Sequence, residues 1–95
     1  MNLSDIQHGM PVYARGRDQI AGKPVASIDR LDGPKYIKLR RSDSPDGRHH
    51  WIPLTWVDVI RNGAVFLNKT DSEYRQQVYS TAPEDSEQAQ RAMLA

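Results

Sequence analysis

His49 and His50 sit side by side three residues after Asp46, and they are the densest concentration of reactive side chains in this 95-residue chain. With His8 or Asp46 as a third donor they would supply the imidazole and carboxylate groups that hold zinc or nickel. Their spacing argues against chelation. Neighbouring residues on a strand face opposite sides, no His-x-His or His-x₃-His pair occurs, and the chain has no cysteine to supply thiolates. A serine nucleophile activated through histidine and aspartate would call for an elbow of the form Gly-x-Ser-x-Gly, and neither that nor a glycine-rich phosphate loop is present. The chain reads as non-enzymatic, with no metal and no cofactor.

Recognition chemistry remains. Trp51 and Trp56 lie five residues apart on either side of Pro53. The economical assignment puts one ring in the core and the other at a surface or interface, where Trp, Tyr and Arg dominate binding energy. Tyr36, Lys38 and Arg40 alternate along one predicted strand and would form an aromatic and basic face of the kind that stacks single-stranded RNA. The plainer reading is a solvated outer face whose charges keep strand edges from pairing with other chains. The candidate interaction residues are thus Trp51, Trp56, Tyr36, Lys38, Arg40, His49 and His50.

The elements that must position these groups are short. Pro11–Arg15 reads as a first strand, with a turn over Gly16-Arg17-Asp18-Gln19. Val25–Leu31 reads as a second, with a bulge near Ser27 because Val25, Ile28 and Leu31 do not alternate. Asp32-Gly33 marks a hairpin, and Tyr36–Arg41 follows with Ile37 and Leu39 facing inward. After the loop 42–47, a strand through His50-Trp51-Ile52 stops at Pro53, which has no amide hydrogen to give. Val57–Arg61 and Ala64–Asn68 flank Asn62-Gly63, a two-residue type I′ turn. Thr70-Asp71-Ser72-Glu73 is a capping box opening a helix to about Tyr79. Residues 84–95 have helix formers but a thin apolar face of Ala89, Met93 and Leu94, so 1–80 is read as the domain and 81–95 as a flexible or weakly helical tail, dispensable for the fold.

Composition bounds the rest. A hydrophobic fraction of 38% and a mean hydropathy of −0.72 allow one small core. Ten Lys/Arg against seven Asp in residues 1–61, and three against five acidic residues in 62–95, place any basic surface in the first part. The chain offers no run of about 18 apolar residues and no secretory leader, so a cytoplasmic protein without membrane contact is expected. Six short strands with a helix only at the end predict a mainly β fold, a small antiparallel barrel whose closure would cover its edges.

The order of elements, and above all His49-His50-Trp51-Ile52-Pro53-Leu54-Thr55-Trp56-Val57 and the exit Val65-Phe66-Leu67-Asn68-Lys69, resembles small bacterial domains of unknown function related to the PRC barrel, the β-barrel of the photosynthetic reaction centre H subunit and of a ribosome maturation factor. The resemblance spans about residues 6 to 79. It implies a PRC-barrel-like scaffold with no enzymatic activity that binds macromolecules through strands and loops. The expected function is protein–protein interaction, including homodimer formation with a seam tryptophan near the contact; the alternative is an RNA- or ribosome-associated module using the Tyr36, Lys38 and Arg40 face. The opposed histidines give a direct test: titration calorimetry should detect no sub-micromolar zinc or nickel binding, and tight binding abolished by His49→Ala or His50→Ala would refute the reading.

Overall fold

The computed structural model describes residues 3–16 and 23–94. After a short 3-10 turn at Leu3–Asp5 come β1 (Pro11–Arg15), β2 (Ala26–Asp32), β3 (Tyr36–Leu39), β4 (Trp51–Pro53), β5 (Val57–Arg61) and β6 (Ala64–Thr70), then α1 (Asp71–Gln77) and α2 (Glu87–Leu94). Most of the expected turn after β1, from Arg17 onward, lies outside the described residues.

The six strands form one sheet in the order β4-β3-β2-β1-β6-β5. This corrects the expected antiparallel barrel in two respects. First, β1 pairs with β6 in parallel, Val12 opposite Val65 and Tyr13 opposite Phe66, while every other neighbouring pair is antiparallel. Second, closure would require β4 and β5, the two ends of the order, to pair, and they do not. The outer edge of β4 is taken instead by Tyr79, which exchanges two backbone hydrogen bonds with Trp51 at 2.9 and 3.0 Å. Pro53 ends β4 after three residues and opens a 3-10 turn at Leu54–Trp56, so the chain leaves that edge at once.

Local chemistry sets the remaining joints. Asn62 and Gly63 adopt φ values of 53° and 72°, the left-handed pair that a type I′ turn needs. Thr70 and Glu73 cap α1 reciprocally: the Glu73 amide donates to Thr70 Oγ1 at 3.1 Å, and the Thr70 amide donates to Glu73 Oε1 at 2.9 Å. The bulge in β2 falls at Asp29, between the pairs Ile28–Leu39 and Arg30–Lys38, rather than at Ser27. Its consequence is as expected for an inserted residue: Ile28 and Leu31, three apart, both pack toward the core.

That core gathers Val12, Ile28, Ile37, Leu39, Ile52, Val65 and Leu67 from one side of the sheet, Trp56 from the 3-10 turn after β4 and Tyr74 from α1. The alternate positions of β2, β3 and β4 face the other way: Asp32 pairs with Tyr36, and Lys38 with Trp51. Here the expectation for the tryptophans needs correction. Trp56 does enter the core, but Trp51, on the opposite face, is only 4% exposed. Both rings are thus buried within the chain's own fold, Trp56 under the sheet and Trp51 beneath the C-terminal segment.

The second face is covered by the segment that a thin apolar stripe marked as tail. Ser86 is fully buried and its Oγ accepts the Ala89 amide at 3.1 Å, capping α2, while the Gln88 amide donates to Asp32 Oδ1 at 2.8 Å. Asp32 is itself fully buried, and its Oδ2 accepts Trp51 Nε1–H at 2.7 Å. Hydrogen bonds to a charged group contribute about 1.5–3 kcal/mol each. A chain ending at Ser80 is therefore expected to unfold more than about 5 °C below the full chain, roughly 1 kcal/mol for a domain of this size; a smaller drop in a thermal scan would show that α2 rests on the sheet without holding it.

Candidate functional site

The residues singled out in the sequence do not converge on one site. Arg40 and His50 line one place and Tyr36, Lys38 and Trp51 share another on the opposite side of β3, while Trp56 lies in the core and His49 turns to the Leu39 carbonyl.

The first is a pocket of about 510 Å³ between the base of β2–β3, the loop 42–47 and α1. Val25, Ala26, Leu39, Tyr74 and Val78 give it an apolar floor, and Lys23, Arg40, Arg75, Asp46, Asp71 and His50 give it a charged rim. Burial, with Asp71 nearby, pushes the Tyr74 phenol up to about 12, so that side chain is a neutral wall. Arg75 spends its charge on Asp71 one turn earlier at 3.3 Å.

Asp46 organises the rim. Its Oδ1 accepts from Ser44 Oγ at 2.6 Å, from the Arg48 amide at 3.0 Å and faces His50 Nε2 at 3.0 Å. These donors, Ser44 first, hold the Asp46 carboxyl well below the usual carboxylate range. The arrangement differs from a nucleophilic triad. There histidine stands between aspartate and serine, with one ring nitrogen for each; here serine and histidine both converge on the aspartate, and His50 Nδ1 is buried with no hydrogen-bond partner among the described residues. His49 goes elsewhere, its Nδ1 2.8 Å from the Leu39 carbonyl. Adjacent histidines, just ahead of β4, thus engage different partners, and among the described residues no three His, Cys, Asp or Glu side chains are grouped as a metal site needs.

The second place is the face holding Tyr36, Lys38 and Trp51. Tyr36 Oη donates to Asp85 Oδ1 at 2.6 Å, Lys35 Nζ lies 3.3 Å from Asp85 Oδ2, and Lys38 Nζ donates to Gln88 Oε1 at 2.8 Å while lying 5.8 Å from the centre of the Trp51 ring. Tyr36 and Lys38 are therefore engaged by the chain's own C-terminal segment, and Arg40, just past the end of β3, belongs to the pocket. The three do not make a shared open face for RNA bases. The bond to Asp85 pushes the Tyr36 phenol up to about 12, and the same bond, followed by Asp85's own backbone amide and then Lys35, lowers the Asp85 carboxyl.

Sequence reasoning missed a third grouping. Tyr13 and Phe66 stack with ring centres 5.3 Å apart, and the Arg61 guanidinium lies 5.1 Å from the Phe66 ring. Arg61 reaches Phe66 across the Asn62-Gly63 hairpin, but Tyr13 meets Phe66 only because β1 pairs with β6, and no local pattern announces that pairing. Asp32 was missed for another reason: next to Gly33 it reads as a turn residue.

Residues 6–75 match the family model described as "Uncharacterized protein conserved in bacteria (DUF2171)". The chain belongs to that bacterial family. The matched span runs from Ile6 to Arg75, taking in every strand and most of α1 and stopping short of α2. No curated protein and no solved structure matches the chain.

The contact between Tyr36 and Asp85 carries a pH dependence whose sign is fixed. Asp85 has a depressed folded pKa, so its contribution is complete above the unfolded carboxylate value of about 3.9 and fades as pH falls through the folded value. Tyr36 has a raised one, so its contribution holds below about 10 and is lost toward about 12. The difference in unfolding midpoint between the natural chain and Tyr36→Phe should be constant between these limits and shrink as the solution is taken from about pH 6 to about pH 2. A difference unchanged in acid would mean that the hydroxyl acts without the carboxylate.

Proposed function

We propose that this chain is a non-catalytic cytoplasmic binding domain that works by contact with other protein chains, a second copy of itself among them. The observation that carries the reading is the pocket beside α1: an apolar floor inside a rim of mixed charge. Such a site takes an apolar side chain from a partner and fixes its backbone with polar contacts around it. A reaction would need a group placed to attack or to transfer a proton, and the rim instead ties Ser44, His50 and the Arg48 amide to one carboxylate. The likeness in element order to the PRC barrel accords with a scaffold of this kind, although this sheet is open.

RNA binding stands second, now with a different observation in its favour. Tyr13, Phe66 and Arg61 are partly or fully exposed and form an aromatic and basic group at the far end of the sheet. Counterion release would make such binding fall steeply with salt, whereas an apolar anchor responds little.

Selection of displayed random peptides on the full chain tests the first reading. Selected peptides should share one large apolar anchor, lose at least about tenfold in affinity against Val78→Arg, a loss of about 1.4 kcal/mol, and bind Val59→Arg, on the distant β5, as they bind the natural chain. Peptides indifferent to Val78→Arg would remove the pocket from the account.

A further inference from the structure

Among the described residues, the polar contacts that hold α2 come from its first turn and the residues just before it. Asp85 meets Tyr36 and Lys35, the Gln88 amide meets buried Asp32, and the Gln88 side chain meets Lys38. Beyond that turn the helix is increasingly exposed, Met93 to 74%. The connection back to the sheet, from Ser80 to Glu84, is exposed or half-buried. The segment is therefore held by its tip, on a lead of a few residues starting from the Tyr79 bridge.

The surface under that tip has the features of a receptor for a helix start. Asp32 offers a fully buried carboxylate oxygen where an α-helix presents its free amides, and the positive end of the helix dipole favours that charge. Gly33 provides the clearance: it has φ +74°, and a Cβ there would stand 3.3 Å from the Glu87 amide nitrogen. Lys35, Tyr36 and Lys38 supply donors for an acidic residue before the helix and an amide side chain within it. Charge and shape together specify an Asp-Ser-x-Gln helix start, the sequence of residues 85–88.

We infer that the face formed by Asp32, Gly33, Lys35, Tyr36 and Lys38 is an exchangeable docking site for residues 85–88, occupied in cis by the chain's own segment and in trans by that of a second copy. Exchange between copies recreates every contact already made within one chain, so it adds no new interface to be stabilised. A short lead keeps the segment at an effective concentration of about millimolar, which makes the cis form dominant in dilute solution and the exchanged dimer a species of high local concentration. The inference rests on the reading that the domain acts through protein contacts, but it concerns a surface separate from the pocket.

Two complementary variants of the full chain test it. Asp85→Lys with Gln88→Pro disables the segment and leaves the receptor intact; proline in the first helical turn removes the amide donor without breaking the helix. Lys35→Glu with Lys38→Glu disables the receptor and leaves the segment intact. The indole signal of Trp51 reports occupancy directly, because its Nε1–H shares the Asp32 carboxylate with the Gln88 amide. When the receptor-disabled chain is added to ¹⁵N-labelled segment-disabled chain, the Trp51 indole signal should move saturably toward its position in the natural protein, half-way between about 0.1 and 1 mM. The Trp56 signal should stay in place. No movement up to about 1 mM, with both variants folded by circular dichroism, overturns the inference. So does an equal movement when unlabelled segment-disabled chain is added. Should the double variant fail to fold, Asp85→Lys alone, at an exposed position, serves as the labelled partner under the same criteria. Val78→Arg in either chain should leave the titration unchanged, which separates failure here from failure of the pocket.

Discussion

The buried carboxylate of Asp32 is the constraint on which the outer layer of this domain depends. A carboxylate removed from water is tolerated only where its oxygens are supplied with donors and its charge is paired; Arg30 lies 3.9 Å from Oδ1, and hydrogen bonds arrive from distant places, the Trp51 indole on β4 and the Gln88 amide on α2. One side chain thus ties a strand end, the neighbouring sheet face and the C-terminal helix. The tryptophan gains as well, since a buried indole N–H without an acceptor would be left unsatisfied. Gly33 next door admits the helix closely enough for its amide to reach, so the residue pair that turns the hairpin also seats the helix.

The open sheet follows from how its two edges end. β4 is cut to three residues by Pro53, and its outer edge is filled by Tyr79, leaving nothing for β5 to join. β5 has a register shift between Val57 and Val59 and exposed charge at Asp58 and Arg61, features that blunt an edge against further pairing. The parallel union of β1 with β6 then becomes the means of binding the first and last strands together, a task that barrel closure would otherwise perform.

Much of this was legible in the sequence wherever the cause is local. Asn62-Gly63, the Thr70–Glu73 box, the Pro53 stop and the alternation through Ile37 and Leu39 each act over a few residues, and each took the form its chemistry dictates. The shortfalls are non-local. A parallel pairing between strands some fifty residues apart leaves no periodic trace, so the barrel was expected and an open mixed sheet is found. The C-terminal segment carries too thin an apolar stripe to announce its docking, because its attachment is polar and made by Asp85, Ser86 and Gln88. For the site, His50 and Arg40 were singled out and do line the pocket, but the apolar floor under them comes from Val25, Tyr74 and Val78, which reach one place only after folding. Tyr36 and Lys38 were recognised as a face, and what they face is the chain itself.

β3 sets the relation between the two surfaces. Its four residues alternate, so Ile37 and Leu39 turn to the core and the pocket while Tyr36 and Lys38 turn to the docked helix. Both surfaces are then written in one register. A slip of one residue would exchange them wholesale, turning a lysine into the core and a leucine toward Asp85. The register is pinned by the Asp29 bulge on one side of β3, and on the other by the Leu39 amide, which donates to the His50 carbonyl at 2.7 Å, with His49 holding the Leu39 carbonyl. The adjacent histidines that first suggested a metal site thus help fix the strand on which both binding surfaces are built.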